Sequence, residues 1–183
     1  MKRSFFAILL TGLVALNACK KDGNVVIPAP VLSPATGIYV LCEGGFGGNN
    51  ATLAYRNVAS GVVAADFYRQ QNPTQTGGLG DLANDAIIYG SKLYIVMNGS
   101  GNVTVLNAST GVLLGKVSFI NGSGNKSPRF ALGARGKVYV SSFDNTISII
   151  DTTSLSITGS INVGANPEGI ATYGNYLYVA NSG

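Results

Sequence analysis

The chain has 183 residues, 46% of them hydrophobic and only 11% charged, which suits one domain or part of one. Its 12 Lys and Arg against 8 Asp and Glu leave +4, or +2 once Lys2 and Arg3 are set aside as part of an N-terminal signal; the charges are spread singly, so there is no basic stripe for nucleic acid. His is absent, which excludes Ser–His–Asp and Cys–His catalysis and any His-ligated metal, and two cysteines are too few for a disulfide scaffold.

Residues 1–18 read as an export signal. Lys2 and Arg3 precede an apolar stretch from Ser4 to Leu16 that is too short to span a bilayer, which takes about 20 apolar residues. Leu16-Asn17-Ala18-Cys19 resembles the bacterial lipobox, and that resemblance implies cleavage before Cys19 and lipidation of its thiol. Two or more acyl chains anchor stably where one does not. Residues 19–36 then read as the lipid anchor and a tether, with Pro28, Pro30 and Pro34 favouring extended backbone. Asp22 is the acidic residue near the anchor, so surface display is an expectation alongside a periplasmic one.

From residue 37 the sequence repeats. Segments 84–120, 128–164 and 167–183 align, with Tyr94, Tyr139 and Tyr178 equivalent and Asn107 matched by Asp151. An earlier, more degenerate copy places Tyr39 in the Tyr series and Asn57 opposite Asn107. Within a copy the period is two: Thr146 and Ser148 alternate with Ile147 and Ile149 between turns at 143–145 and 151–153. Four short strands in about 40 residues, repeated, predict a β-propeller of four-stranded blades. The expected blades are 37–83, 84–127, 128–166 and an incomplete 167–183, so the chain reads as a propeller truncated to about three to three and a half blades. No helical period is expected after residue 19.

Tyr178-Val179-Ala180-Asn181, Asp151-Thr152-Thr153 and the run from Val163 to Ala171 resemble the YVTN propeller repeat. The opening GIYVLCEGGFGGNN and the later LGDLANDAIIYGSKLYIV resemble more narrowly the YncE-like, DUF5074-type lipoproteins of Bacteroidetes. The resemblance covers residues 37–183 and departs at Cys42, where that family commonly has Asn, and at Met97-Asn98.

With strands named A to D from the channel outwards, alternation brings the D–A and B–C loops to one end of the blades. Asp85, Arg129 and Glu168 are expected near the channel mouth at equivalent positions, with Asp144 in a B–C loop, as a polar ligand surface or as turn and solvation chemistry. The loop EGGFGGNN offers Glu43, Phe46, Asn49 and Asn50, either as ligand contacts or as a mobile turn. It has no lysine and no following helix, so it is not a P-loop. Asp81 and Asp85 lack the dense oxygen donors of a Ca²⁺ loop, and no metal site is expected. Cys42 is expected to be a buried small hydrophobe, and the four tyrosines to be packing residues. Asp151-Thr152-Thr153 also matches the short acceptor pattern of Bacteroidetes O-glycosylation.

No catalytic residue and no cofactor emerge from this reading. It describes a membrane-anchored, non-catalytic binding propeller of the cell envelope or outer membrane. The resemblance implies nutrient capture beside an outer-membrane transporter, with a corrinoid such as cobalamin as the leading ligand. The alternative is a propeller enzyme, lactonase- or lyase-like, whose catalytic residues lie in blades outside this sequence.

Overall fold

A computed structural model describes residues 35–183; the signal, Cys19 and the tether up to residue 34 lie outside the described residues. Residues 35–183 form one compact unit. It is nearly all β, built as a succession of small antiparallel sheets that are propeller blades.

The first blade contains β1 (Gly37–Cys42), β2 (Thr52–Asn57) and the short β3 (Val63–Ala64), followed by helix α1 (Phe67–Gln71). The second is a four-stranded meander of β4 (Ala83–Tyr89), β5 (Lys92–Met97), β6 (Asn102–Asn107) and β7 (Leu113–Ser118). A small hairpin of β8 (Ile120–Asn121) and β9 (Gly124–Asn125) leads into the third blade. That blade repeats the meander with β10 (Pro128–Ala134), β11 (Lys137–Ser142), β12 (Thr146–Asp151) and β13 (Ser156–Asn162). A last hairpin pairs β14 (Pro167–Tyr173) with β15 (Tyr176–Asn181).

Register fixes the correspondence between blades. Lys92 faces Asn107, Lys137 faces Asp151, and Gly37 faces Asn57, so β1 matches β5 and β11, the second strands of their blades. Among the described residues the first blade therefore has strands of types B, C and D and none of type A. The last hairpin is of types A and B. Helix α1 departs from the all-strand expectation: Asp66 Oδ1 caps it by accepting the Arg69 N–H, and Phe67 and Tyr68 bury its inner side.

Alternation along each strand gives every blade two apolar faces. Leu53, Phe67, Tyr68 and Leu79 of the first blade pack on Leu93, Ile95, Met97 and Leu106 of the second. The other face of the second blade, with Tyr94, Val96, Val103 and Val105, packs on Val138, Val140 and Ile150 of the third. The Tyr series divides accordingly. Tyr94 is fully buried, Tyr39 and Tyr139 are half-buried, and Tyr178 is exposed.

Turn chemistry repeats as closely as the strands. Asn57, Asn107 and Asp151 each accept backbone N–H groups two or three residues on, at Ser60, at Ser109 and Thr110, and at Thr153 and Ser154. Each turn then needs a left-handed residue four positions on. Gly61 and Gly111 supply it without strain, whereas blade three holds Leu155 at φ 51°.

Candidate functional site

The D–A and B–C loops do gather at one end of the blades, and backbone bonds tie them together. Ala83 N–H donates to the Glu43 carbonyl, Asn98 N–H to Leu82, Phe143 N–H to Ser127, and Ser182 N–H to Asn166. Here lie most of the residues singled out by sequence.

The EGGFGGNN loop is organised rather than free. Asp81 accepts the N–H of Gly47 on Oδ2 at 3.0 Å and of Asn49 on Oδ1 at 3.3 Å, while its own N–H donates to Ser100 Oγ at 2.8 Å. Asn50 Oδ1 accepts the Gly45 N–H. Glycine is required at 44 and 47, where φ is 80° and 72°. The loop presents Phe46 at 87% exposure. Asp81 was weighed in the sequence only as a Ca²⁺ ligand, and its role as the anchor of this loop was missed, because a carboxylate 32 residues from Asn49 leaves no local signal.

Glu43 begins this loop and lines a cleft of about 700 Å³ between β1 and β4. Tyr39, Leu41 and Leu53 line it from the first blade, and Asn84 and Asp85 from the second. It lies along the edge of β1 on which blades two and three carry their type-A strand. Tyr39 donates from its hydroxyl to the Ala108 carbonyl at 3.0 Å, and burial followed by the neighbouring Tyr55 pushes its pKa above the ordinary tyrosine value.

Arg129 and Glu168 form a second group. The guanidinium donates from Nε and Nη2 to Glu168 Oε2 at 3.2 and 3.1 Å, and from Nη1 to Asn84 Oδ1 at 2.6 Å. It also stands 4.7 Å over the centre of the Phe143 ring. Asn84, Arg129 and Glu168 hold the second position of three successive A strands, so they form one line across blades two, three and four. Asp85 is the third residue of its strand and not the equivalent of Arg129, a correction to the sequence alignment. Its Oδ2 accepts the Ala131 N–H of the next blade at 2.9 Å, where β10 shifts register against β11, and its Oδ1 accepts the Ala86 N–H.

Asp144 stands apart, paired with Lys126 at 2.8 Å and accepting the Thr146 hydroxyl. Cys42 is exposed and free, contrary to expectation: it shares the outward face of β1 with Ile38 and Val40, whereas the matching Met97 lies against the first blade. Among the described residues, no three His, Cys, Asp or Glu side chains come together. The structure thus brings Glu43 and Asp85 to one cleft, with Phe46, Asn49 and Asn50 on the adjoining loop, and commits Arg129 and Glu168 to a bond between blades.

The fold is similar to that of several solved proteins at low identity. The chain superposes on hydrazine synthase of Kuenenia stuttgartiensis with a TM-score of 0.52 and 13% identity, over 71% of this chain and 33% of that one. On BamB from Moraxella catarrhalis the values are 0.51 and 18%, over 78% and 39%. On the computationally designed Ika8 protein they are 0.57 and 13%, over 78% and 40%. The chain thus spans a third to two fifths of these proteins. No curated protein matches it by sequence. Residues 36–183, however, match the family described as domain of unknown function DUF5074, and the chain belongs to that family.

Proposed function

We propose that the chain is a non-catalytic binding module of the bacterial envelope, anchored through lipid on Cys19, and that its ligand enters the cleft between β1 and β4. The observation that carries this reading is the grouping of Glu43, Asp85 and Asn84 around an apolar floor of Tyr39, Leu41 and Leu53. Concave sites of this kind, apolar with a few convergent polar groups, are where small molecules bind. The exposed Phe46 on a loop pinned by Asp81 supplies an aromatic surface beside the cleft.

Asp85 and Asn84 on this rim are held by Ala86, Ala131 and Arg129, which leaves the Glu43 carboxylate as the acceptor that a ligand with N–H donors would meet. The peripheral carboxamides of a corrinoid are such donors, and the resemblance to YVTN and YncE-like lipoproteins favours cobalamin capture for an outer-membrane transporter. The non-catalytic part rests on the engagement of Arg129, Glu168, Asp144 and Asp81 with protein partners.

Equilibrium dialysis with cyanocobalamin tests this reading. We expect the chain to retain the coloured ligand and the Phe46→Ala and Glu43→Gln variants to bind it about ten-fold more weakly, the equivalent of about 1.4 kcal/mol each. Arg129→Gln is expected to lower thermal stability and leave affinity nearly unchanged. Absence of retained ligand, or retention unaffected by both loop variants, would overturn the proposal.

A further inference from the structure

Blades two and three each have four strands, and the contact between them is covered from both sides. Val96, Val103 and Val117 give it an apolar wall on blade two. Blade three answers with apolar side chains at one end only. Val138 and Val140 on β11 and Ile150 on β12 belong to the shared cluster, and alternation carries the same face on to Ser142, Ser148 and Thr146.

Ser142 faces Thr146 across the β11–β12 ladder and Ser148 faces Val140, so the two serines are diagonal neighbours on that face. Both have essentially no exposed surface. Neither hydroxyl has a hydrogen-bonding partner among the described residues. Thr146, their common neighbour, is already engaged: its hydroxyl donates to Asp144 Oδ1 at 2.7 Å and accepts from Lys126 Nζ at 3.3 Å. Ser141, one residue away on the opposite face, is equally buried but satisfied, accepting the Phe130 N–H and donating to the Phe130 carbonyl.

A buried hydroxyl without a partner is costly, and internal water is the usual way such groups are paired. One such group is a defect, whereas two at adjoining same-face positions converge on a single place. We propose that Ser142 and Ser148 together hold one internal water between blades two and three. Ser160 faces Ser148 across the β12–β13 ladder and is exposed, which marks the side from which that water exchanges. The site is separate from the cleft between β1 and β4, and it stands or falls independently of a ligand there.

A crystal structure of the full chain tests it directly and should show an ordered oxygen about 2.6–3.2 Å from both Oγ atoms. In solution, relaxation dispersion of the water oxygen nucleus, which is blind to exchanging hydroxyl protons, should lose the amplitude of one long-lived water in the Ser142→Ala/Ser148→Ala double variant. Stability gives a third readout. Each single alanine variant strands the other serine, so it should lower the melting temperature by about 2–4 °C. The double variant removes the whole polar site and should recover most of that loss. If the double variant does not fold, the crystal structure of the unaltered chain decides. Serines bonded directly to each other, or no oxygen within reach of both, would overturn the proposal. So would equal dispersion from the unaltered chain and a folded double variant, or single variants that each gain stability, as two unpaired hydroxyls would give.

Discussion

Asp151 sits where the two preceding blades carry Asn57 and Asn107, and all three side chains close the same turn. The aspartate adds a charge: Lys137 Nζ approaches its Oδ2 at 2.6 Å. That hydrogen bond first, and then the N–H groups of Ser154 and Thr153, hold its pKa well below the usual carboxylate range. A carboxyl whose pKa is lower in the folded than in the unfolded state stabilises the fold above its unfolded pKa, about 3.9. That contribution fades as pH falls through this value toward the lowered one. Asp151→Asn should preserve the turn, cost little at neutral pH because the pair is partly exposed, and flatten the loss of stability on acidification. Urea melts from pH 6 downward check this; an acid limb as steep as in the parent would assign the loss to other carboxylates. The turn role of these residues was legible in the sequence, because it depends on neighbours two or three positions away. The clamp of Arg129 on Glu168 was legible only as matching positions 39 residues apart, and its hold on Asn84, 45 residues away, was not, because the alignment set Asp85 in that place.

Helix α1 shows how an element escapes a reading based on periodicity. With five residues it is too short to display a helical period, and too short to persist alone. What fixes it is tertiary. Asn72 at its end is buried and donates from Nδ2 to the carbonyls of Tyr68 and Gly111, both at 2.9 Å, while its Oδ1 accepts the Leu113 N–H at 2.7 Å. One side chain thereby joins the first blade's helix to the β6–β7 turn of the second. Asn72→Ala leaves buried donors and acceptors without partners and should cost about 2–3 kcal/mol. The expected signature is a lowered urea midpoint with an unchanged slope. The strands, by contrast, were readable, because alternation and turn residues are local. The hairpin β8–β9 was not, since Asn121, Gly122, Ser123 and Gly124 look like any polar connection.

Across the molecule, burial is greatest in the middle. Leu93 to Met97 on β5 and Val103 to Leu106 on β6 have essentially no exposed surface, because the second blade is covered on both faces. The strands β1 and β15 each have one uncovered face. Native-state hydrogen exchange should therefore find its slowest amides in β5 and β6, with β1 and β15 exchanging sooner. Equal protection across all four blades would contradict that ordering.

The pairing of each strand with its sequence neighbour also has a consequence for synthesis. A meander closes ladder by ladder as it is made, the short-range topology that folds quickly. The first blade is the exception, because its apolar face meets Leu93, Ile95 and Leu106, which are translated later. Its strands are expected to remain loosely ordered on the ribosome until β6 has left the exit tunnel, when the first two blades lock in a single step.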